Sequence, residues 1–175
     1  MASKRFEGRA IRLGDDVNTD NIISYRYKSR TIDPRELAKH VFEDIDPELP
    51  KKIRPGDIIV AGKNFGYGSS REHAPLAIKG AGIRVILAES FARIFYRNAV
   101  NLGLLPFTVP RHFVERTRMW DHIVVDLEKG RVYNTDSGVE AAIKQPPNFM
   151  WRIVEAGGIV EYYRRHGRLP WEESQ

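Results

Sequence analysis

The sequence predicts an α/β fold, and three observations carry that prediction. Short apolar runs alternate with helix-periodic segments from one end of the chain to the other, with no repeat and no low-complexity tract. A strand, a glycine-rich loop, a helix and a second strand follow one another over residues 57–88, the order of a parallel crossover connection. The 175 residues, 42% of them hydrophobic, suffice for one core and are too few for two large ones. Residues 1–175 are therefore expected to form a single domain.

Taken in order, Ala10-Ile11-Arg12-Leu13 reads as a short strand ending at Gly14-Asp15-Asp16. Asp33-Pro34-Arg35-Glu36 opens a helix running to about Phe42, with Asp33 as N-cap, Pro34 at the first helical position and Glu36 completing a capping box. After the Pro55-Gly56 turn, residues 57–62 read as a buried strand, 63–70 as the glycine-rich loop and 71–79 as a helix stopped by Gly80-Ala81-Gly82. Residues 84–88 form the second strand. Ser90 then caps a helix whose apolar face is Phe91, Ile94, Phe95, Ala99 and Leu102, and Gly103 ends it. Residues 123–127 and 131–133 flank Glu128-Lys129-Gly130 as a hairpin. Pro146-Pro147 opens a helix ending at Gly157-Gly158, and residues 159–166 form a last helix closed by Gly167.

Composition narrows the function. There is no Cys, which removes disulfides, thiolate nucleophiles and a Cys-ligated metal on this chain. The excess of 28 Lys+Arg over 23 Asp+Glu gives a pI near 9.5, compatible with an anionic ligand, an acidic partner or nucleic acid. No apolar run is long enough to span a membrane and the N-terminus is too polar for a secretory signal, so a cytoplasmic protein is expected.

Three stretches could carry chemistry. In Asn64-Phe65-Gly66-Tyr67-Gly68-Ser69-Ser70-Arg71-Glu72-His73, two glycines, two hydroxyls and a guanidinium stand where a strand gives way to a helix, a setting that attracts a carboxylate or phosphate. The plainer alternative makes Ser69 or Ser70 a helix cap and Arg71 a solvated residue. The P-loop, dinucleotide and nucleophile-elbow patterns all fail here. The run Asp15-Asp16-Val17-Asn18-Thr19-Asp20 reads first as a turn and second as a carboxylate site, and lacks the EF-hand pattern. Tyr25-Arg26-Tyr27-Lys28-Ser29-Arg30-Thr31 reads as a basic, aromatic-interleaved loop, either a nucleic-acid patch or a solvated surface. The five histidines show no i, i+4 pair, so no metal site is expected. His73 is either a base for a neighbouring serine or a satisfied structural histidine.

Three segments together, Asp15–Asp20, Gly68–Ala74 and Ser90–Asn98, resemble the small-subunit or swivelling domain of the aconitase superfamily. With the chain length and the ending Tyr162-Tyr163-Arg164-Arg165-His166-Gly167-Arg168-Leu169-Pro170, the chain is most similar to the free-standing small subunits of 3-isopropylmalate dehydratase and homoaconitase, over about residues 8–170. The resemblance implies a swivelling β/β/α domain with a mixed sheet or barrel-like β core and flanking helices. It also implies a hydro-lyase, a heterodimer or heterotetramer active only with a large subunit.

That large subunit would hold the [4Fe–4S] cluster acting as Lewis acid on the substrate hydroxyl, with no cofactor bound by this chain. By the same resemblance Ser69 is the base for the carbon-bound proton. Ser70 and Arg71 hold a substrate carboxylate, and Asp20 orders the charged groups. The segment 25–31 is where family members differ by substrate, which brings in Arg26, Lys28 and Arg30. The expected reaction is the isomerisation of 2-isopropylmalate to 3-isopropylmalate in leucine biosynthesis. The alternatives are a homoaconitase or dual-specificity subunit of lysine biosynthesis and, from another class, a nucleic-acid-binding module. Tyr67 departs from the pattern, since many relatives carry Cys between the two glycines.

Overall fold

In the computed structural model, which describes residues 4–174, seven strands form one mixed sheet in the order β4-β3-β2-β1-β5-β6-β7. The strands are β1 (Arg5–Arg12), β2 (Ile58–Ala61), β3 (Val85–Ala88), β4 (Leu105–Thr108), β5 (His122–Asp126), β6 (Arg131–Asn134) and β7 (Glu140–Ala142). β1 is the hinge of the topology: Ala10–Arg12 pair parallel with β2, and Arg5–Arg9 pair antiparallel with β5. From β1 outward one side is parallel and the other antiparallel. The crossover predicted over residues 57–88 is present as β2, α5 (His73–Gly80) and β3, with β2 and β3 parallel.

Alternation along the strands divides the core into two. Ile11, Ile59, Ala61, Ile86 and Ala88 face one cluster, which the helix-borne Ile22, Leu37, Ala74, Ile78, Phe95 and Ala99 complete. Ala10, Ile58, Val60, Val85 and Leu87 face the other, together with β4, Ile123 and Val125 of β5 and Val132 of β6. The antiparallel ribbon shares a cluster with the parallel strands because the sheet curls as half of a barrel; β4 and β7 stay its open edges. Each large aliphatic side chain fully buried here contributes about 1.5–3 kcal/mol relative to exposure.

Around the first cluster lie α1 (Thr19–Ile22), α2 (Tyr25–Lys28), α3 (Pro34–Ala38), α4 (Leu49–Lys52), α5 and α6 (Arg93–Asn101). The second is closed by α7 (Arg111–Glu115) and α8 (Asn148–Ala156), which leads into α9 (Ile159–His166) and a short 3-10 turn. The hairpin of residues 122–134 and the last two helices form where the sequence places them, with Gly157 and Gly167 in left-handed C-terminal positions.

Several local expectations are corrected. Asp33 caps α3 by accepting from the Arg35 N–H at 2.9 Å, but Glu36 pairs with Lys39 instead of closing a capping box. The reciprocal box belongs to Asn18 and Asn21 at the start of α1. Ser90 caps no helix: α6 begins at Arg93, and the Ser90 hydroxyl accepts from the Asn64 N–H at 2.7 Å. Because that helix starts later, Ile94 leaves the core and stands 50% exposed, while Phe95 and Ala99 stay buried. The 25–31 segment is a helical turn, not a loop, with Lys28 on its buried side.

Candidate active site at the ends of three parallel strands

β1, β2 and β3 run parallel, so their carboxyl ends meet at one edge of the sheet, where open α/β sheets gather ligand-binding loops. The three segments singled out in the sequence are the connections leaving those three ends, at 13–20, 62–72 and 89–98.

They are stitched together chiefly by backbone. The Gly62 N–H donates to the Gly14 carbonyl at 3.1 Å and the Asp16 N–H to the Lys63 carbonyl at 2.8 Å. The Gly66 N–H donates to the Val17 carbonyl at 2.7 Å and the Thr19 N–H to the Tyr67 carbonyl at 2.9 Å. On the other side, the Phe65 N–H donates to the Ser90 carbonyl and the Ala92 N–H to the Phe65 carbonyl. The acidic run 15–20 is thus mainly a brace: Asp15 accepts from the Lys63 N–H at 2.8 Å and Asp16 from the Asn64 side chain at 3.3 Å.

The turn 69–71 is held from two directions. The Ser69 N–H donates to Oγ1 of Thr19, a buried residue, at 3.0 Å, and Nδ2 of Asn98 donates to the Ser70 carbonyl at 3.0 Å. Sequence reasoning missed Thr19 and Asn98 as supports, although both lie inside the segments that carry the family resemblance. Neither serine caps α5, which starts at His73. Ser69, half-buried, accepts from the Arg71 N–H at 3.2 Å, leaving its own proton free. Arg71 is exposed, and its guanidinium stands 5.6 Å from the ring centre of Tyr25. Among the described residues neither that guanidinium nor the Ser70 hydroxyl has a hydrogen-bonding partner.

Next to this turn, Nζ of Lys28 donates to Oδ1 of Asp20 at 2.7 Å, with the lysine side chain 2% exposed and the aspartate 67% exposed. The pair ties α2 to α1, where Asp20 follows Thr19, the residue that braces Ser69. His73, on the first turn of α5, is neither a serine's partner nor a satisfied structural residue. Both ring nitrogens are shut off from solvent with no hydrogen bond. Burial first, then the charges of Lys28 and Arg71, hold its pKa below the ordinary histidine value. Glu72 and the nearby Lys28 carbonyl, which falls short of a hydrogen bond, oppose that shift.

Arg26 and Arg30 are not drawn into this group: both are exposed, Arg26 lies over the ring of its neighbour Tyr27, and no side-chain contact ties Arg30 to the turn. A cavity of about 620 Å³ lined by Glu115, Arg116, Arg118, Asp121, Asp136 and Ser137 shares no residue with the site. With no Cys in the chain there is no thiolate to hold an iron–sulfur cluster, and the described residues form no His/Asp/Glu group suited to a metal. Among the described residues no helix is long and apolar enough to cross a membrane.

Comparison with known proteins places this geometry. The aconitase C-terminal domain profile matches residues 16–112, which run from within the 13–20 connection to the start of α7 and contain Asp20, Lys28, the 69–71 turn and Asn98. A 3-isopropylmalate dehydratase small subunit from Methanopyrus kandleri is 55% identical over 165 residues, 94% of this chain and 96% of that protein. One from Thermodesulfovibrio yellowstonii is 47% identical over 97% of this chain and 98% of its own. A crystal structure of 3-isopropylmalate dehydratase from Methanocaldococcus jannaschii superposes with a TM-score of 0.86 at 43% identity, covering 97% of this chain and 98% of that one. The chain therefore belongs to the aconitase C-terminal domain family, in the branch that contains the small subunits of 3-isopropylmalate dehydratase.

Proposed function

We propose that this chain is the small subunit of a cytoplasmic 3-isopropylmalate dehydratase, the hydro-lyase that converts 2-isopropylmalate to 3-isopropylmalate on the route to leucine. The observation that carries the reading is the 69–71 turn. Its backbone is bonded from both sides, while the Arg71 guanidinium and the Ser70 hydroxyl have no hydrogen-bonding partner among the described residues. A rigid frame presenting an unpaired fork and a hydroxyl is suited to a carboxylate.

In this reading Arg71 and Ser70 grip a substrate carboxylate and hold the adjacent C–H over Ser69. Oγ of Ser69, as the alkoxide, takes the carbon-bound proton while the hydroxyl on the neighbouring carbon departs. Returning proton and hydroxyl to exchanged carbons completes the isomerisation. A serine is a feeble base in water, so the alkoxide must be stabilised, and the Arg71 N–H and the cations of Arg71 and Lys28 are the groups at hand. Asp20 fixes Lys28 in place.

The site is open, and exclusion of water requires a second surface. That requirement, together with the lack of any thiolate here, supports a large subunit that completes the cleft and carries the [4Fe–4S] cluster.

The test is reconstitution with a cluster-loaded large subunit, offering 2-isopropylmalate and homoaconitate separately. The pair is expected to turn over isopropylmalate and the isolated chain to do nothing. Ser69→Ala is expected to lower kcat by about 10³-fold with folding intact. Activity in the isolated chain, or near-normal turnover by Ser69→Ala, would overturn the scheme. Preference for homoaconitate would move the chain to the homoaconitase reading.

A further inference from the structure

Outside the three segments that carry the family resemblance, the turn after α3 gathers a cluster of titratable side chains. The ring of His40 lies flat on that of Tyr27, with centres 3.7 Å apart and planes 7° from parallel. Nδ1 of His40 donates to Oε2 of Glu43 at 2.7 Å, and the Tyr27 hydroxyl donates to Oε1 of the same carboxylate at 3.4 Å. One carboxylate thus holds both members of the stack. Between His40 and Glu43 in sequence, Phe42 has φ +60, a conformation that a bulky residue keeps only where its surroundings impose it. Its side chain is fully buried and its N–H donates to the Ile22 carbonyl at 2.8 Å, which ties the turn to the end of α1.

The cluster bears on the site through α2. A helix of four residues has no stability of its own, and Ser24 supplies no side-chain cap. Among the described residues, two α2 side chains hydrogen-bond to other elements: Lys28 to Asp20 of α1, and Tyr27 to Glu43. Asp20 is largely exposed, whereas Tyr27 is packed against the core. Tyr25, 62% exposed, has no such bond among the described residues, yet its ring centre stands 5.6 Å from the guanidinium of Arg71. The position of Tyr25 is therefore set by what holds Tyr27, two residues further on.

We propose that His40 is a positioning residue: clamped with Glu43 on Tyr27, it fixes α2 and so keeps the ring of Tyr25 beside the guanidinium of Arg71. The part Arg71 plays towards the substrate carboxylate rests on the function proposed above. An aromatic ring steadies a guanidinium without occupying its N–H donors, which stay available to a carboxylate. With α2 loosened, Arg71 samples more orientations and holds the carboxylate less often, while Ser69 keeps its brace from Thr19 on α1. The loss falls on substrate binding and not on proton transfer.

The experiment has two arms. In the reconstituted enzyme turning over 2-isopropylmalate, His40→Ala is expected to raise KM about fivefold and to keep kcat within about twofold. His40→Phe, which keeps the stack, is expected to bring KM back to within about twofold of wild type. An unchanged KM in His40→Ala overturns the proposal, as does a fall in kcat alone, which a smaller folded fraction would give. So does a His40→Phe variant that behaves like His40→Ala.

The second arm uses trypsin on the full chain and needs no turnover. Cleavage after Arg26 and Arg30 reports local opening of the 25–31 segment, and cleavage after Arg131 reports opening of β6. His40→Ala is expected to speed the cuts at 26 and 30 about tenfold and to leave the cut at 131 unchanged, with His40→Phe restoring the wild-type rate. Equal acceleration at all three positions, or none at 26 and 30, overturns the clamp. If the pair dehydrates nothing, the function reading fails while this arm still decides whether His40 holds α2.

Discussion

All four residues of β2 and all four of β3 are buried, whereas β6 and β7 bury every second residue. The first pattern belongs to parallel strands covered on both faces, the second to an antiparallel ribbon with one face in water. The difference extends to function. Parallel strands send their carboxyl ends the same way, so the connections after β1, β2 and β3 converge and can brace one another. In the ribbon successive ends point in opposite directions and are joined by short turns, so its connections are divided between the two ends. The family match, residues 16–112, stops before the ribbon begins. The three segments that carry the family resemblance sit where topology gathers loops, and the ribbon supplies core.

If that division is right, equivalent substitutions should behave unequally in the two regions. The largest contrast is between two glycines with positive φ. Gly66, in the site loop, has φ +84, and a Cβ there would stand 2.2 Å from Cγ of Phe95; Gly138, in the β6–β7 turn, has φ +79 with nothing within 4 Å. Gly66→Ala is expected to cost about 3 kcal/mol, from backbone strain plus overpacking, and to abolish turnover. Gly138→Ala carries the strain alone, about 1 kcal/mol, and should leave turnover untouched. Urea unfolding and activity of the reconstituted pair measure both. Equal costs would mean that the packing of Phe95 against the loop is slack.

The same contrast explains what was legible in the sequence. The continuous apolar runs of β2 and β3 announce strands, and the order of three motifs announces the site. The first half of β1 escaped because Arg5, Glu7 and Arg9 interrupt it with charge on the solvent face. β4 escaped because Pro106 argues against a strand unless it lies at an edge, which it does. Helices of four residues such as α1 and α2 have no propensity signal of their own and exist through tertiary contacts. For that reason the burial of Lys28 on Asp20 could not be read from the basic run 25–31. The orphaned ring of His73 is likewise a property of packing, which spacing along the chain does not encode.

Two buried threonines give the middle test. Thr19 accepts from the Ser69 N–H at 3.0 Å; Thr117, beside the ribbon, donates to the Phe113 carbonyl at 2.8 Å and accepts from Asn134 at 3.2 Å. Valine at either position keeps the shape and removes the hydroxyl, at an expected cost of about 1–2 kcal/mol each. Turnover should fall about tenfold for Thr19→Val, because the base shifts relative to its proton, and stay unchanged for Thr117→Val. A loss in both would show that general stability, not the brace on Ser69, limits activity.

The smallest effect is expected on the open face of the ribbon. Arg131 on β6 meets Glu140 on β7 at 2.9 Å, with the two side chains 37% and 54% exposed. Ordering two long side chains in water offsets most of the attraction, so Arg131→Ala should cost about 0.5 kcal/mol or less and vanish in high salt. The register does not depend on the pair, because Val132 and Ala141 face each other across the same ladder and one of them would reach solvent if the strands slipped by a residue. A salt-independent loss above about 1.5 kcal/mol would instead mean that rim charge holds the ribbon against the curled sheet. The ribbon would then resemble the site loops in depending on specific polar contacts, and the contrast between the two regions would narrow to chemistry alone.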